Sequence, residues 1–283
     1  MKMKTYTCND TREGLCRMER DVVYSTATGS ELLLQLILPE QVETSPRFPV
    51  IVFVQGSAWT FPVVWAKLPM MGIFARAGIA VAMITHRNCM EGHPAPAFLE
   101  DTKTAIRFLR ANAEKWNLDP ERFGVWGTSS GGNTALLVGL TPDWPEYKTA
   151  EYADQSDAVK AVAECFGPTD LFTLGQFVAG ASSDDPRGAL PRALLGTEDP
   201  EAMARKISPL YLVEPGKEYP PFMILQGDAD PVVPYEQSTV MAEKLDACGA
   251  EVEFIKVEGG VHERNFWNPV LYDDILDFFK RNL

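Results

Sequence analysis

The stretch that most constrains this chain is an apolar run that ends in Gly-x-Ser-x-Gly and turns at once into a helical pattern. Phe123-Gly124-Val125-Trp126 runs into Gly127-Thr128-Ser129-Ser130-Gly131, and an apolar helical pattern starts at Asn133. This is the layout of a tight elbow that lifts a serine off the end of a strand and onto a helix N-terminus. Gly127 and Gly131 flank Ser129 because bulkier residues would clash in so sharp a turn, and the geometry predicts φ > 0 at the serine. The five residues alone also fit an ordinary strand-to-helix turn. A following acid, a following histidine and a loop of oxyanion donors separate the two readings.

The rest of the chain keeps a matching rhythm. Arg20 to Ser25 and Glu31 to Leu38 read as an antiparallel hairpin. Phe48 to Gln55 is apolar nearly throughout, as a strand buried on both faces must be. A helical segment over Ala66 to Ala77 leads to a buried strand over Ile79 to Thr85. An amphipathic helix then covers Phe98 to Trp116, with Ile106, Leu109 and Ala113 on one face. After the elbow come a short strand from Val159 to Cys165, a strand from Pro221 to Gln226, and a helix from Tyr235 to Cys248. A strand from Val252 to Val257 and a helix from Pro269 to Arg281 close the chain. Alternating strands and helices predict an α/β fold: a mostly parallel sheet with right-handed crossovers and helices on both faces. Thr169 to Glu218 breaks the rhythm and reads as a small cap inserted over the site, or as a surface excursion. Its Gly180-Ala181-Ser182-Ser183 run points to a mobile part. The expected organisation is one domain over residues 1–283, with 1–19 as a polar leader and 169–218 as the insertion.

Composition narrows the partners. The chain has 283 residues, 46% of them hydrophobic, which is enough for one large core or two small ones. Lys and Arg number 26 against 39 Asp and Glu, a formal charge of −13 spread along the chain. That balance argues against nucleic acid or an anionic membrane as partner and suits a neutral substrate. No apolar run follows the N-terminal lysines and no window reaches the length of a membrane span. A cytoplasmic protein is expected, or a periplasmic or secreted one from which a leader has been removed. Five scattered cysteines show no metal-ligand spacing and read as free thiols, with a Cys8–Cys16 bridge left open. Neither a metal nor an organic cofactor is expected.

The partners of Ser129 lie at later strand ends. The strand ending at Gln226 is followed by Gly227-Asp228-Ala229-Asp230-Pro231-Val232-Val233-Pro234. Asp228 and Asp230 both qualify by position. Asp230 is preferred because Pro231 and Pro234 stiffen its loop, whereas Asp228 beside a glycine suits a turn. The strand ending at Val257 is followed by Glu258-Gly259-Gly260-Val261-His262, and the chain's other histidines are His86 and His93. Ser129 would then be the nucleophile, His262 the base and Asp230 the residue that fixes the imidazole tautomer. Oxyanion donors are expected from the N–H of Ser130 and from Gln55-Gly56-Ser57-Ala58-Trp59, with Ser57 first choice and Ala58 beside it. Trp59, Phe61 and Trp65 follow that loop and are candidates for an aromatic substrate wall, or equally for core and lid packing.

With these pieces in view, the sequence resembles the α/β-hydrolase superfamily, and more narrowly its feruloyl- and acetyl-esterase-like branch. The resemblance is carried by Gln55 to Trp59, by the Asp101 to Asp119 helix, by the Gly127 to Gly132 elbow and by Gln226 to Pro234. It covers roughly Val22 to Leu283, and the order Ser129, Asp230, His262 is the superfamily's order. It implies an α/β-hydrolase fold and ester hydrolysis through an acyl-enzyme without a cofactor. The substrates it implies are feruloyl or acetyl esters of plant cell-wall polysaccharides or oligosaccharides. Two departures stand out. Relatives carry His-Gly-Gly-Gly-Trp where Gln55, Ser57 and Ala58 bring other residues, and a family Tyr-Arg pair reads His86-Arg87 here, which makes His86 a structural substitution. A short-chain carboxylesterase, a lipase or an arylformamidase-like hydrolase are the nearest alternatives. A prolyl-oligopeptidase-type peptidase would be expected to bring a large propeller, and a non-catalytic receptor to have lost a triad member.

Overall fold

The computed structural model describes residues 1–283 except Ser30, Thr44, Gln176, residues 182–185 and Thr197. Its strands are β1 (Cys16–Ser25), β2 (Leu32–Pro39), β3 (Phe48–Val54), β4 (Ala80–Ile84), β5 (Leu118–Thr128), β6 (Ala161–Cys165), β7 (Phe222–Gly227) and β8 (Val252–Val257). They form one sheet in the order β1-β2-β4-β3-β5-β6-β7-β8. β1 and β2 are antiparallel, as are β2 and β4, and every later neighbour is parallel.

Period-two alternation sorts the apolar strand residues onto two faces. On β3, Val50, Val52 and Val54 face one core, while Ile51 and Phe53 face the other. The first core is closed by α2 (Ala97–Ala111), α3 (Ser130–Leu140) and α7 (Tyr235–Ala247), through residues such as Ile106, Leu137 and Leu245. The second is closed by α1 (Leu68–Arg76) and α8 (Pro269–Asn282), through Phe74, Ile275 and Phe279. Because both faces are covered, the central strands are apolar without interruption, and β4 is buried along its whole length.

The chain leaves β3 toward β4 on one side, and the strand after β5 lies on the other. Connections from β3 and β5 therefore diverge, and a crevice opens above their adjoining C-terminal ends. The loop after β3 and the elbow after β5 meet there.

Several boundaries differ from the sequence expectation, each for a local reason. β1 starts at Cys16, inside the stretch assigned to a leader, and residues just before it are tied to the end of β2. Glu40 N–H donates to the Leu15 carbonyl at 2.9 Å, and Arg12 pairs with the Glu40 carboxylate at 3.1 Å. The helix expected over Ala66 to Ala77 is a short 3₁₀ turn over Val64–Lys67 followed by α1, whose first turn holds Pro69. The helix expected to reach Trp116 stops at Ala111, where the Asn112 side chain takes the Phe108 carbonyl at 2.8 Å.

Between β6 and β7 the insertion folds as three short helices, α4 (Phe177–Ala181), α5 (Ala189–Leu195) and α6 (Pro200–Lys206). Ala95 N–H donates to the Leu194 carbonyl, and Asn133 on α3 donates to the carbonyls of Pro168 and Ile207. Of the small-residue run 180–183, read as mobile from the sequence, Ser182 and Ser183 lie outside the described residues. All five cysteines are unpaired. Among the described residues, no helix is long and apolar enough to cross a membrane.

Candidate active site

Ser129 sits between β5 and α3 with φ 52° and ψ −125°, a conformation that costs energy for a residue with a Cβ. The surroundings hold it there. Its N–H donates to the Cys165 carbonyl on the next strand at 2.9 Å, and its carbonyl accepts from Asn133 N–H at 3.0 Å. The flanking glycines are required by close approach. A Cβ on Gly127 would lie 1.9 Å from the Gly131 carbonyl oxygen, and one on Gly131 would lie 2.0 Å from the Val54 carbonyl oxygen.

His262 and Asp230 converge on the serine from loops after β8 and β7. His262 Nε2 lies 2.9 Å from Ser129 Oγ, and Nδ1 lies 2.8 Å from Asp230 Oδ2. Asp230 Oδ1 accepts from the N–H groups of Val232 and Val233 at 2.7 and 3.0 Å. Burial pushes the Asp230 carboxyl up, but the bonds from His262, Val233 and Val232 outweigh it and hold it below the usual carboxylate range. It is therefore ionised at neutral pH and aimed at the imidazole. Asp228 faces elsewhere: its carboxylate takes Gly259 N–H at 2.6 Å and Lys256 Nζ at 2.8 Å. Two acids two residues apart thus have separate partners, one the histidine and the other the turn that leads to it.

Two outlying backbone conformations brace the histidine. Phe166, just past β6, has φ 44°, and its ring meets the imidazole edge-on at 4.8 Å between centroids. Glu263 has φ 64°, and its carboxylate accepts from Lys67 Nζ and Trp267 Nε1, each at 2.8 Å. Neither residue carried a sequence signal beyond its nearness to a strand end, because both act through tertiary contacts.

The loop after β3 is strapped to the elbow. Gly56 N–H donates to Thr128 Oγ1 and Ser57 N–H to Ser130 Oγ, both at 2.9 Å. The two residues flanking Ser129 in the chain thus hold the oxyanion loop with their hydroxyls, a role the sequence did not reveal. The Ser57 N–H, expected first among the loop donors, is already engaged. Ala58 has φ 52°, and its N–H donates to no acceptor among the described residues. Ser130 N–H opens α3, where helix amides lack intrahelical partners. Gly56 lies so close to the elbow that a Cβ there would sit 2.7 Å from Ser129 Cβ.

The three aromatics that follow do not share one environment. Trp59 is 3% exposed and packs against Phe98 and, on α4, Phe177, with ring centroids 6.2 and 6.0 Å apart. Its position is that of buried packing, because a ring so enclosed has little face left for a ligand. Phe61 and Trp65 are 55% and 52% exposed and remain open to a substrate. His86 is buried against Phe98 with Nδ1 2.9 Å from the Arg87 carbonyl oxygen, and burial pushes its imidazole down to about 4.

Comparison with known proteins gives the family and the fold. The BD-FAE family profile matches residues 34–245. A truncated carbohydrate esterase from gut microbiota superposes with a TM-score of 0.80 at 31% identity, covering 97% of this chain and 98% of that one. The bifunctional GH43-CE of Bacteroides eggerthii gives 0.80 at 30% identity, over 94% of this chain and 35% of that one. Esterase LipC of Mycobacterium tuberculosis is 29% identical over 81% of this chain and 56% of its own length. The chain thus spans about half the length of the curated relatives it matches.

Proposed function

Because this chain belongs to the BD-FAE family of α/β-hydrolase esterases, we propose that it is a serine carboxylic ester hydrolase acting through an acyl-enzyme. The substrates proposed are acetyl or feruloyl esters of plant cell-wall polysaccharides or their oligomers. The observation that carries the chemistry is the continuous chain Ser129–His262–Asp230, with bonds of 2.9 and 2.8 Å, above the C-terminal edge of the sheet. Ser129 Oγ attacks the ester carbonyl while His262 Nε2 takes its proton. Asp230 holds Nδ1–H and stabilises the imidazolium. The N–H groups of Ser130 and Ala58 stabilise the oxyanion. Collapse breaks the bond to the alcohol, which leaves with the proton held by His262, and water attacks the acyl-enzyme by the same route in reverse.

The carbohydrate side of the reading is supported by two features. One of the solved relatives above is described as a carbohydrate esterase from gut microbiota. Phe61 and Trp65 are exposed aromatic faces on the segment that follows the oxyanion loop, and flat rings of this kind stack on apolar faces of sugars and of ferulate.

The test is release of acetate and ferulate from acetylated xylan oligomers and feruloylated arabinose oligomers, alongside p-nitrophenyl esters of graded chain length. Ser129→Ala and labelling by a serine-directed phosphonate serve as controls. The reading expects release in the first assays, kcat/KM falling from C2 toward C12, and a labelled Ser129. Efficiency that climbs with chain length, without acetate or ferulate release, would replace the cell-wall substrate with a lipid one. No ester turnover and no label at Ser129 would remove the esterase reading altogether.

A further inference from the structure

We propose that Gln226 is a positioning residue for Asp230, locking the acid to His262 through a buried polar bridge that continues through Ser238 to Glu164. This deepens, and rests on, the esterase reading of the same site. Gln226 is the penultimate residue of β7 and fully buried. Its Nε2 donates to Asp230 Oδ2 at 3.2 Å and to the Val233 carbonyl at 3.1 Å, so it grips the acid loop at two points. Its Oε1 accepts from the Ser238 hydroxyl on α7 at 3.0 Å. Ser238 Oγ in turn lies 3.5 Å from Glu164 Oε1 on β6, and Glu164 Oε2 accepts from Gly167 N–H at 2.8 Å.

The bridge fixes a direction as well as a place. Asp230 Oδ2 and the Val233 carbonyl both accept, so the amide NH₂ must face them; turning it over would set the amide oxygen against two acceptors. Gln226, Ser238 and Glu164 are all fully buried, so water does not offer replacement partners. Burial pushes the Glu164 carboxyl up to about 8, against the bonds from Gly167 and Ser238, so it brings no second full charge behind Asp230 at pH 7.

Gln226 and His262 donate to the same oxygen of Asp230. A second donor on Oδ2 shares that oxygen with the imidazole, so Gln226 sets both where Oδ2 lies and how much of its charge faces Nδ1. Among the described residues, Asp230 is the acid bonded to His262. The neighbouring Glu263 carboxylate is turned to Lys67 and Trp267, and the Phe166 ring covers another side. Loss of the Gln226 donor therefore changes the contact between Asp230 and the imidazole and leaves the acid less firmly placed.

The experiment uses the full chain and reads His262 directly. Imidazole resonances of the three histidines are titrated by NMR, with His262 assigned by its loss in His262→Ala. Wild type is compared with Gln226→Leu and Ser238→Ala, the second being a small truncation that keeps the test alive if the first does not fold. Hydrolysis of p-nitrophenyl acetate is followed in parallel. Gln226→Leu is expected to move the His262 midpoint away from that of wild type. It is also expected to lower kcat by ~10–100-fold with KM changed by less than about twofold. Ser238→Ala moves both in the same direction by less. A His262 midpoint unmoved in both variants overturns the proposal whatever happens to kcat. A shifted midpoint in a protein whose wild type hydrolyses no ester would keep the positioning role and overturn the esterase reading instead.

Discussion

Replacing Asp230 by asparagine isolates what the acid contributes, because the structure dictates how the amide must sit. Oδ1 of Asp230 faces two backbone N–H donors, at 2.7 and 3.0 Å, and Oδ2 faces His262 Nδ1 and Gln226 Nε2. An amide nitrogen at the Oδ1 position would oppose both backbone donors. Asparagine therefore keeps its oxygen there and turns its NH₂ toward His262. Nδ1 must then accept, so the imidazole proton moves to Nε2 and faces Ser129 Oγ, where a base is needed. The variant retains shape and backbone bonds but carries the wrong tautomer. The corresponding change in a serine protease triad lowers kcat by ~10⁴, or about 5 kcal/mol in the barrier. The same loss is expected here in p-nitrophenyl acetate turnover and in the rate of phosphonate labelling at Ser129. Asp228→Asn is the control. Its oxygen can still accept from Gly259 N–H, and its ion pair with Lys256 is exposed, so kcat should stay within about threefold. An Asp230→Asn enzyme within about tenfold of wild type, or equal losses in the two variants, would refute this account of the acid.

Three further outcomes follow from the geometry. Trp59→Ala should cost about 3–5 kcal/mol in urea unfolding, since the ring is 3% exposed and packed against Phe98 and Phe177; a loss under about 1 kcal/mol would mean that the ring is not packed as described. Gly56→Ala should lower kcat by ~10² or more while the protein still folds, because the new methyl must displace the loop 2.7 Å from Ser129 Cβ and disturb the oxyanion donors; unchanged p-nitrophenyl acetate kinetics would contradict it. His86 titrates near 6.5 when unfolded and about 4 when folded, so the unfolded chain binds the extra proton between those values. Its contribution is present above pH 6.5 and lost as pH falls toward 4. Wild type should accordingly lose about 2 kcal/mol more than His86→Gln between pH 7 and pH 5, and equal losses in urea unfolding would show that His86 is not held neutral.

The sequence by itself determined the layout of the sheet and the identity of the reactive groups. Uninterrupted apolar runs such as Phe48–Val54 can only be strands covered on both faces, and glycines spaced around Ser129 mark a turn too tight for a Cβ. These are local signals, written within a few residues. Asp230 was preferred to Asp228 on loop stiffness alone; their different partners, His262 for one and Lys256 with Gly259 for the other, exist only after β7 and β8 are laid side by side. The split of Trp59 from Phe61 and Trp65 was likewise undecided by sequence, because burial depends on α4 reaching back across the oxyanion loop. Engagement of the Ser57 N–H by Ser130, the brace of Phe166 against His262 and the Glu164–Ser238–Gln226 bridge join residues 12 to 96 positions apart. No short-range pattern encodes such pairs. They are set by which strand ends the β3–β5 divergence brings together, and by the cost of leaving a buried polar group without a partner.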